Sequence, residues 1–139
     1  MSTTIKNFTH VDLGKFSGLT DKTADGRTKK FMKADLGLTG MEISVTRIDA
    51  GGKTPFFHSH KQNEELYIVV EGSGQMQLDD HVIDVKEGSM VNVAPKCSRA
   101  LRASAKEALT YLCVQAKENS LEQYSKEDGV RHEDHTWKN

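Results

Sequence analysis

Two cysteines and two prolines are all that the 139 residues contain, and neither sign of charge predominates. So little cysteine excludes a disulfide-stapled scaffold, and Cys97 and Cys113 read as free, reduced thiols. No apolar run comes near the ~20 residues that a membrane-spanning helix needs. Lys plus Arg is 19 and Asp plus Glu is 20, a net charge of -1. That balance gives no electrostatic reason to expect nucleic acid or an anionic membrane as partner. The first ten residues are polar and lack the apolar core of a secretory signal, so the expected compartment is the cytoplasm.

What is present is a chain of one domain's length, long enough to bury a core without staples. Turn-forming chemistry recurs at short intervals: Gly51-Gly52, Gly72-Ser73-Gly74, Asp79-Asp80, Glu87-Gly88 and Ser104 to Glu107. Between these lie short stretches rich in β-formers, predicting strands over 41–49, 65–71, 75–78, 81–85, 90–93, 97–103 and 108–115. Many short strands with close turns predict an all-β sandwich or closed barrel, not a β-α-β fold. Gln75-Met76-Gln77-Leu78 alternates, its apolar residues sharing one face and its glutamines the other, which either lines the barrel or, the placement favoured, faces solvent. Leu66 to Val70 is apolar on both faces, so a second sheet, an N-terminal arm or another subunit should cover the outer one. The division expected is an arm and loop over 1–40, a barrel core over 41–116, and a helix and tail over 117–139. The helix is placed over 120–127 with Ser120 as N-cap. The charged run 21–30 reads as a loop, and Trp137 suggests that part of the tail docks on something apolar.

Chemistry concentrates between Gly52 and Glu65. His58 and His60 are two apart, which on a strand puts both imidazoles on one face. With a carboxylate close behind, Glu64 or Glu65, they form a mixed nitrogen and oxygen donor set suited to a divalent transition metal. Such a set leaves open positions for a substrate or for oxygen. Two solvated histidines followed by a surface acidic pair is the plainer alternative.

The run Gly52, five residues, His58-Ser59-His60, four residues, Glu65, six residues, Gly72 resembles the first motif of the cupin family. Glu64 to Gly72 is also similar to small single-domain cupins, and the resemblance extends to about Gln115. It implies a jelly-roll β-barrel, often dimeric, with a metal (Fe, Mn, Ni or Zn) near one end. It favours Glu65 over Glu64 as the third ligand beside His58 and His60. It does not name a reaction, since the fold hosts enzymes of several kinds, storage proteins and sensors.

The second motif, expected after Gly88, departs from the family. Lys96 stands where a glycine is usual, and Arg99 stands where the last ligating histidine belongs. Arginine offers only donors and cannot ligate. Three placements are open to Arg99. Facing the lumen, it would bridge with the metal to an anionic ligand. Without a metal, it would anchor that anion alone. Facing outward, it would pair with a surface carboxylate. Cys97 and Cys113, on strands read as neighbours with a turn near Ala105, would lie opposite each other, and a thiolate from Cys97 could be a further ligand; two small buried hydrophobes is the alternative.

Tyr67, Phe56 and Phe57 suit the wall of an apolar pocket or plain core, with Tyr67 a candidate substrate contact. His81 reads as a turn residue, and His132-Glu133-Asp134-His135 as a solvated tail without zincin spacing. Two functions follow: a small-molecule metalloenzyme of isomerase or dioxygenase type acting on an anionic substrate, or a non-catalytic cupin that captures or senses a ligand.

Overall fold

A computed structural model describes residues 2–139. Nine strands form in chain order: β1 Ser2–Ile5, β2 Phe8–Val11, β3 Thr28–Phe31, β4 Glu42–Ile48, β5 Asn63–Leu78, β6 His81–Lys86, β7 Met90–Val93, β8 Arg99–Ala103 and β9 Leu109–Lys117. A single helical turn, α1 (Lys33–Leu36), precedes β4 and ends at Gly37, which takes the left-handed conformation of a helix C-cap. β1 and β2 make a separate hairpin. The other seven strands pair antiparallel throughout.

The organising element is β5, 16 residues long. Its first half lies between β9 and β7 and continues through β9 into β4 and β3. Its second half lies between β6 and β8. One strand thus belongs to both sheets of a jelly-roll sandwich, and the core fills the space between them. Period-2 alternation decides which side chains enter it. Tyr67 and Val69 come from the first half of β5, Met76 from the second, Leu101 and Ala103 from β8, and Tyr111 and Cys113 from β9.

The expected turn at Gly72-Ser73-Gly74 is instead continuous strand, so the predicted 65–71 and 75–78 are one element. The glycines serve close approach. A Cβ at Gly72 would overlap the Ala108 carbonyl oxygen, and one at Gly74 the Arg102 carbonyl oxygen. Gly72 also takes a φ of 79°, beside a register shift between Val69 and Glu71. A bulge with a left-handed glycine bends the strand from one sheet into the other. The same residue types mark turns and bulges, which is why the sequence pattern alone suggested a reversal.

Other expectations are corrected at the ends of the chain. Thr28–Phe31, inside or beside the run read as a loop, is β3 and pairs with β4. The helix expected over 120–127 shrinks to one 3-10 turn at Lys126–Asp128. Leu121 and Tyr124 are exposed, so no apolar stripe is buried, and eight residues are too few to hold a helix alone. Trp137 is 98% exposed and docks on nothing within this chain. On the outer face of β5, Leu66, Ile68 and Val70 are half-buried. Cys97 and Cys113 are not opposite: β8 pairs with β5, and Cys113 of β9 faces Tyr67 and Ser44.

Gly72→Ala should destabilise the chain by at least ~2 kcal/mol, from left-handed strain plus the carbonyl overlap. Gly40→Ala, with open space and no positive φ, should be nearly neutral. Urea denaturation of the two variants checks this.

Candidate metal centre

Glu65 and Tyr67 point inward from the first half of β5, two residues apart on one face. Glu65 is 4% exposed. Glu64, on the opposite face, is half-buried and stands across from Ala116. His58 and His60 lie on an irregular edge segment rather than in a strand. That segment is held to the second sheet by reciprocal backbone hydrogen bonds between His58 and Arg99, at 3.1 and 3.0 Å, and by His60 N–H donating to the Pro95 carbonyl at 2.8 Å. One ligand pair therefore comes from the edge of one sheet and the carboxylate from the other.

The three residues converge. His58 Nε2 is 3.5 Å from Glu65 Oε1, and His60 Nε2 is 3.1 Å from Glu65 Oε2. All three donor atoms fall within 4.8 Å of one another. Donor atoms about 2.1 Å from a common ion sit roughly 3 Å apart when they occupy adjacent positions, which is close to these separations. His60 Nε2 is buried and, despite its nearness to Glu65, makes no hydrogen bond of acceptable geometry. A buried imidazole nitrogen left in that state beside a second imidazole and a carboxylate fits a divalent ion.

The remaining neighbours hold the carboxylate charged. Tyr67 O–H donates to Glu65 Oε1 at 2.6 Å. Burial alone would raise the Glu65 pKa. Hydrogen bonding from His58, Tyr67 and Cys113, with the charge of His60, outweighs it and holds the carboxyl well below its usual range. Burial, then the neighbouring Cys113 and the Glu65 carboxylate, pushes the Tyr67 hydroxyl far up, so it remains a donor. Burial, then Glu65, likewise raises the Cys113 thiol. Cys113 is thus a protonated neighbour of the site rather than a thiolate. Cys97, the thiol considered from the sequence, sits beside Asp79 at the edge of the core, and burial followed by Asp79 raises it too.

Arg99 takes the inward placement. It shares its face with Leu101 and Ala103 and is 0% exposed. Its Nε stands 3.7 Å from Glu65 Oε1, while its two terminal nitrogens donate to the His58 carbonyl at 3.3 Å and the Ala94 carbonyl at 3.1 Å. The guanidinium therefore faces the carboxylate and clamps the histidine segment, while its buried Nε makes no hydrogen bond and Arg99 helps line the cavity beside Glu65.

A small cavity of about 40 Å³ lies between the ligand group and the mouth, bounded by His58, Glu65, Tyr67 and Cys113 within and by Phe56 and Pro55 outside. Two further cations line it, Arg27 and Lys29. The sequence reading missed both because they fall in the polar run read as loop. Phe56 and Phe57 are half-exposed and so are rim rather than core. Gln75 and Gln77 face away from the core, bonding Asp84, Arg102 and the Asp79 carbonyl. A second group, His132, Asp134 and His135, is fully exposed on the tail.

Two sheets sharing a bulged strand, with a two-histidine, one-carboxylate group at one end, define a jelly-roll barrel of the cupin class. The cupin domain family model matches residues 44–115, and the chain belongs to that family. It is similar to a cupin protein from Bacteroides fragilis of known structure, at 32% identity over 92% of this chain and 99% of that one, with a TM-score of 0.80. A cupin 2 conserved barrel domain protein from Rhodopseudomonas palustris is 24% identical over 70% of this chain and 68% of its own, with a TM-score of 0.58. An uncharacterised protein of Methanocaldococcus jannaschii is 33% identical over 81 residues, spanning 58% of this chain and 60% of that relative's length.

Two outcomes follow from the buried charges. Arg99→Met should destabilise the fold by about 3–5 kcal/mol, because Glu65 loses a buried partner and the histidine segment its clamp. Chemical denaturation measures this. Second, a carboxyl depressed in the folded state stabilises above its unfolded pKa of about 4.3, and that stability is lost as pH falls toward the lower folded value. Urea midpoints should drop as pH is lowered from about 5 to about 3, and the drop should be shallower in Glu65→Gln.

Proposed function

We propose that this chain is a metal-binding cupin whose site takes a small anionic molecule. The observation that carries the reading is the convergence of His58, His60 and Glu65 within 4.8 Å in a pocket that also holds Lys29, Arg27 and Arg99. His58, His60 and Glu65 would hold the ion, which when bound would supply a Lewis acid or an oxygen-binding centre. Tyr67 would fix the Glu65 oxygen and line the substrate's side of the cavity. Arg99 would hold the histidine segment. An isomerase or dioxygenase type of reaction fits this equipment. Fe, Mn, Ni and Zn all accept two imidazoles and a carboxylate.

A second reading, a binder or sensor without catalysis, draws on Arg99. A permanent cation stands in the place of a fourth ligand and already neutralises Glu65, so the pocket is electrostatically tolerable without an ion.

Free thiols at Cys97 and Cys113, and no membrane-length helix among the described residues, accord with a cytoplasmic protein. A homodimer is part of the proposal. Half-buried Leu66, Ile68 and Val70 and fully exposed Trp137 are apolar surface that a second copy would cover.

Elemental analysis of protein purified without added metal should find close to one transition-metal ion per chain. His58→Ala and His60→Ala should each lower occupancy at least tenfold while the far-UV circular dichroism stays that of the parent. A wild-type protein that cannot be loaded to near-stoichiometric occupancy would overturn the metal reading and leave the binder.

A further inference from the structure

The geometry points to Lys29, backed by Arg27, as the cradle for a small carboxylate at the mouth of the cavity. This deepens the anion-binding reading above and rests on it, but it assigns the anion to residues outside both family motifs.

The register of β3 on β4 sets the direction of these side chains. Lys29 pairs with Thr46, which pairs with Tyr111, and Phe31 pairs with Ser44, which pairs with Cys113. Tyr111 and Cys113 are core residues, so Lys29 and Phe31 share the inward face of the sheet. Arg27, two residues before Lys29, lines the same cavity. Both cations lie over rings, and only Arg27 also has a carboxylate partner. Lys29 Nζ lies 4.8 Å from the centre of the Phe31 ring, and the Arg27 guanidinium 5.5 Å from that of Phe56. Arg27 has one carboxylate partner, Asp25, at 3.0 Å. Lys29 is half-buried and, among the described residues, has neither a carboxylate within 4.0 Å nor a side-chain hydrogen bond.

A partly buried ammonium without a counter-charge is held less favourably than a paired one. Glu65 is already engaged by His58, His60, Tyr67 and Arg99. Lys29 is therefore free to pair with a negative group brought from outside the chain. Size narrows its chemistry. The enclosed space is small, about 40 Å³, which suits a planar carboxylate head better than a bulkier tetrahedral phosphoryl group. The remainder of such an acid would extend past the exposed rings at the rim.

The test is titration calorimetry of sodium pyruvate and of inorganic phosphate into the full chain, with metal content determined on the same samples. Wild type, Lys29→Met, Lys29→Gln, Arg27→Met and the surface control Lys96→Met are compared, each checked for parent-like circular dichroism. Pyruvate should bind more tightly than phosphate. Either Lys29 variant should weaken pyruvate at least tenfold, Arg27→Met by a smaller factor, and Lys96→Met not at all, with metal content unchanged throughout. Both Lys29 variants are tested so that one remains if the other does not fold. Pyruvate affinity unchanged in the Lys29 variants, phosphate preferred over pyruvate, or metal lost on changing Lys29 would each overturn the assignment. Metal without Lys29-dependent binding sinks the cradle and leaves the metal centre. Lys29-dependent binding in protein that takes no metal does the reverse.

Discussion

A carboxylate sits inside this barrel, and its charge has to be satisfied there. Removing an ionised group from water costs several kcal/mol even after the surroundings relax. Glu65 meets that demand from four directions: a hydrogen bond from Tyr67 beside it on β5, the Cys113 thiol across on β9, the two imidazoles of the edge segment, and the charge of Arg99 3.7 Å away from the second sheet. None of these is a surface ion pair of the kind that contributes little. They are mutually dependent, because Arg99 also holds the His58 and Ala94 carbonyls and so fixes the segment that carries the imidazoles. The site and the closure of the barrel at this end are one network.

The network needs the two sheets to meet at a set distance, and β5 arranges that. Its bulge near Val69 to Glu71 and the left-handed Gly72 turn a single strand from one sheet to the other. Glu65 and Tyr67 lie before the bend and Met76 and Leu78 after it. Because β8 pairs with the later half, Arg99 arrives opposite Leu78 and faces back toward the earlier half. A separate strand for each half, joined by a flexible turn, would not hold a guanidinium and a carboxylate in this relation.

Much of this was legible where periodicity and side-chain chemistry agreed. β7 falls on its expected residues, and β4, β6 and β9 differ from expectation only at their ends. The inward set on β8 follows from the alternation Arg99, Leu101, Ala103. What the pattern could not supply were features decided by contacts distant in sequence. The glycines at 72 and 74 look the same in a turn as in a bulge, and only the carbonyls of Ala108 and Arg102 tell them apart. The partner of β8 is β5 rather than β9, and nothing local encodes that choice, so the two thiols were misplaced relative to each other. Lys29 lies in a charged run whose composition suits a loop. Its burial comes entirely from pairing with β4.

Arg99 falls where the resemblance to the second cupin motif predicts a ligating histidine. A neutral donor there would leave the charge of an ion largely for a ligand to meet, whereas Arg99 is a permanent cation turned toward Glu65. With an ion bound, one carboxylate would face two positive centres, and Arg27 and Lys29 add more at the rim while Asp25 offsets only Arg27. Like charges in a poorly solvated cavity repel strongly, and under the proposed function an anion would relieve that repulsion with or without an ion. An ion, when bound, would set how tightly that anion is held, and Arg99, already beside Glu65, would let the barrel tolerate the ion's absence.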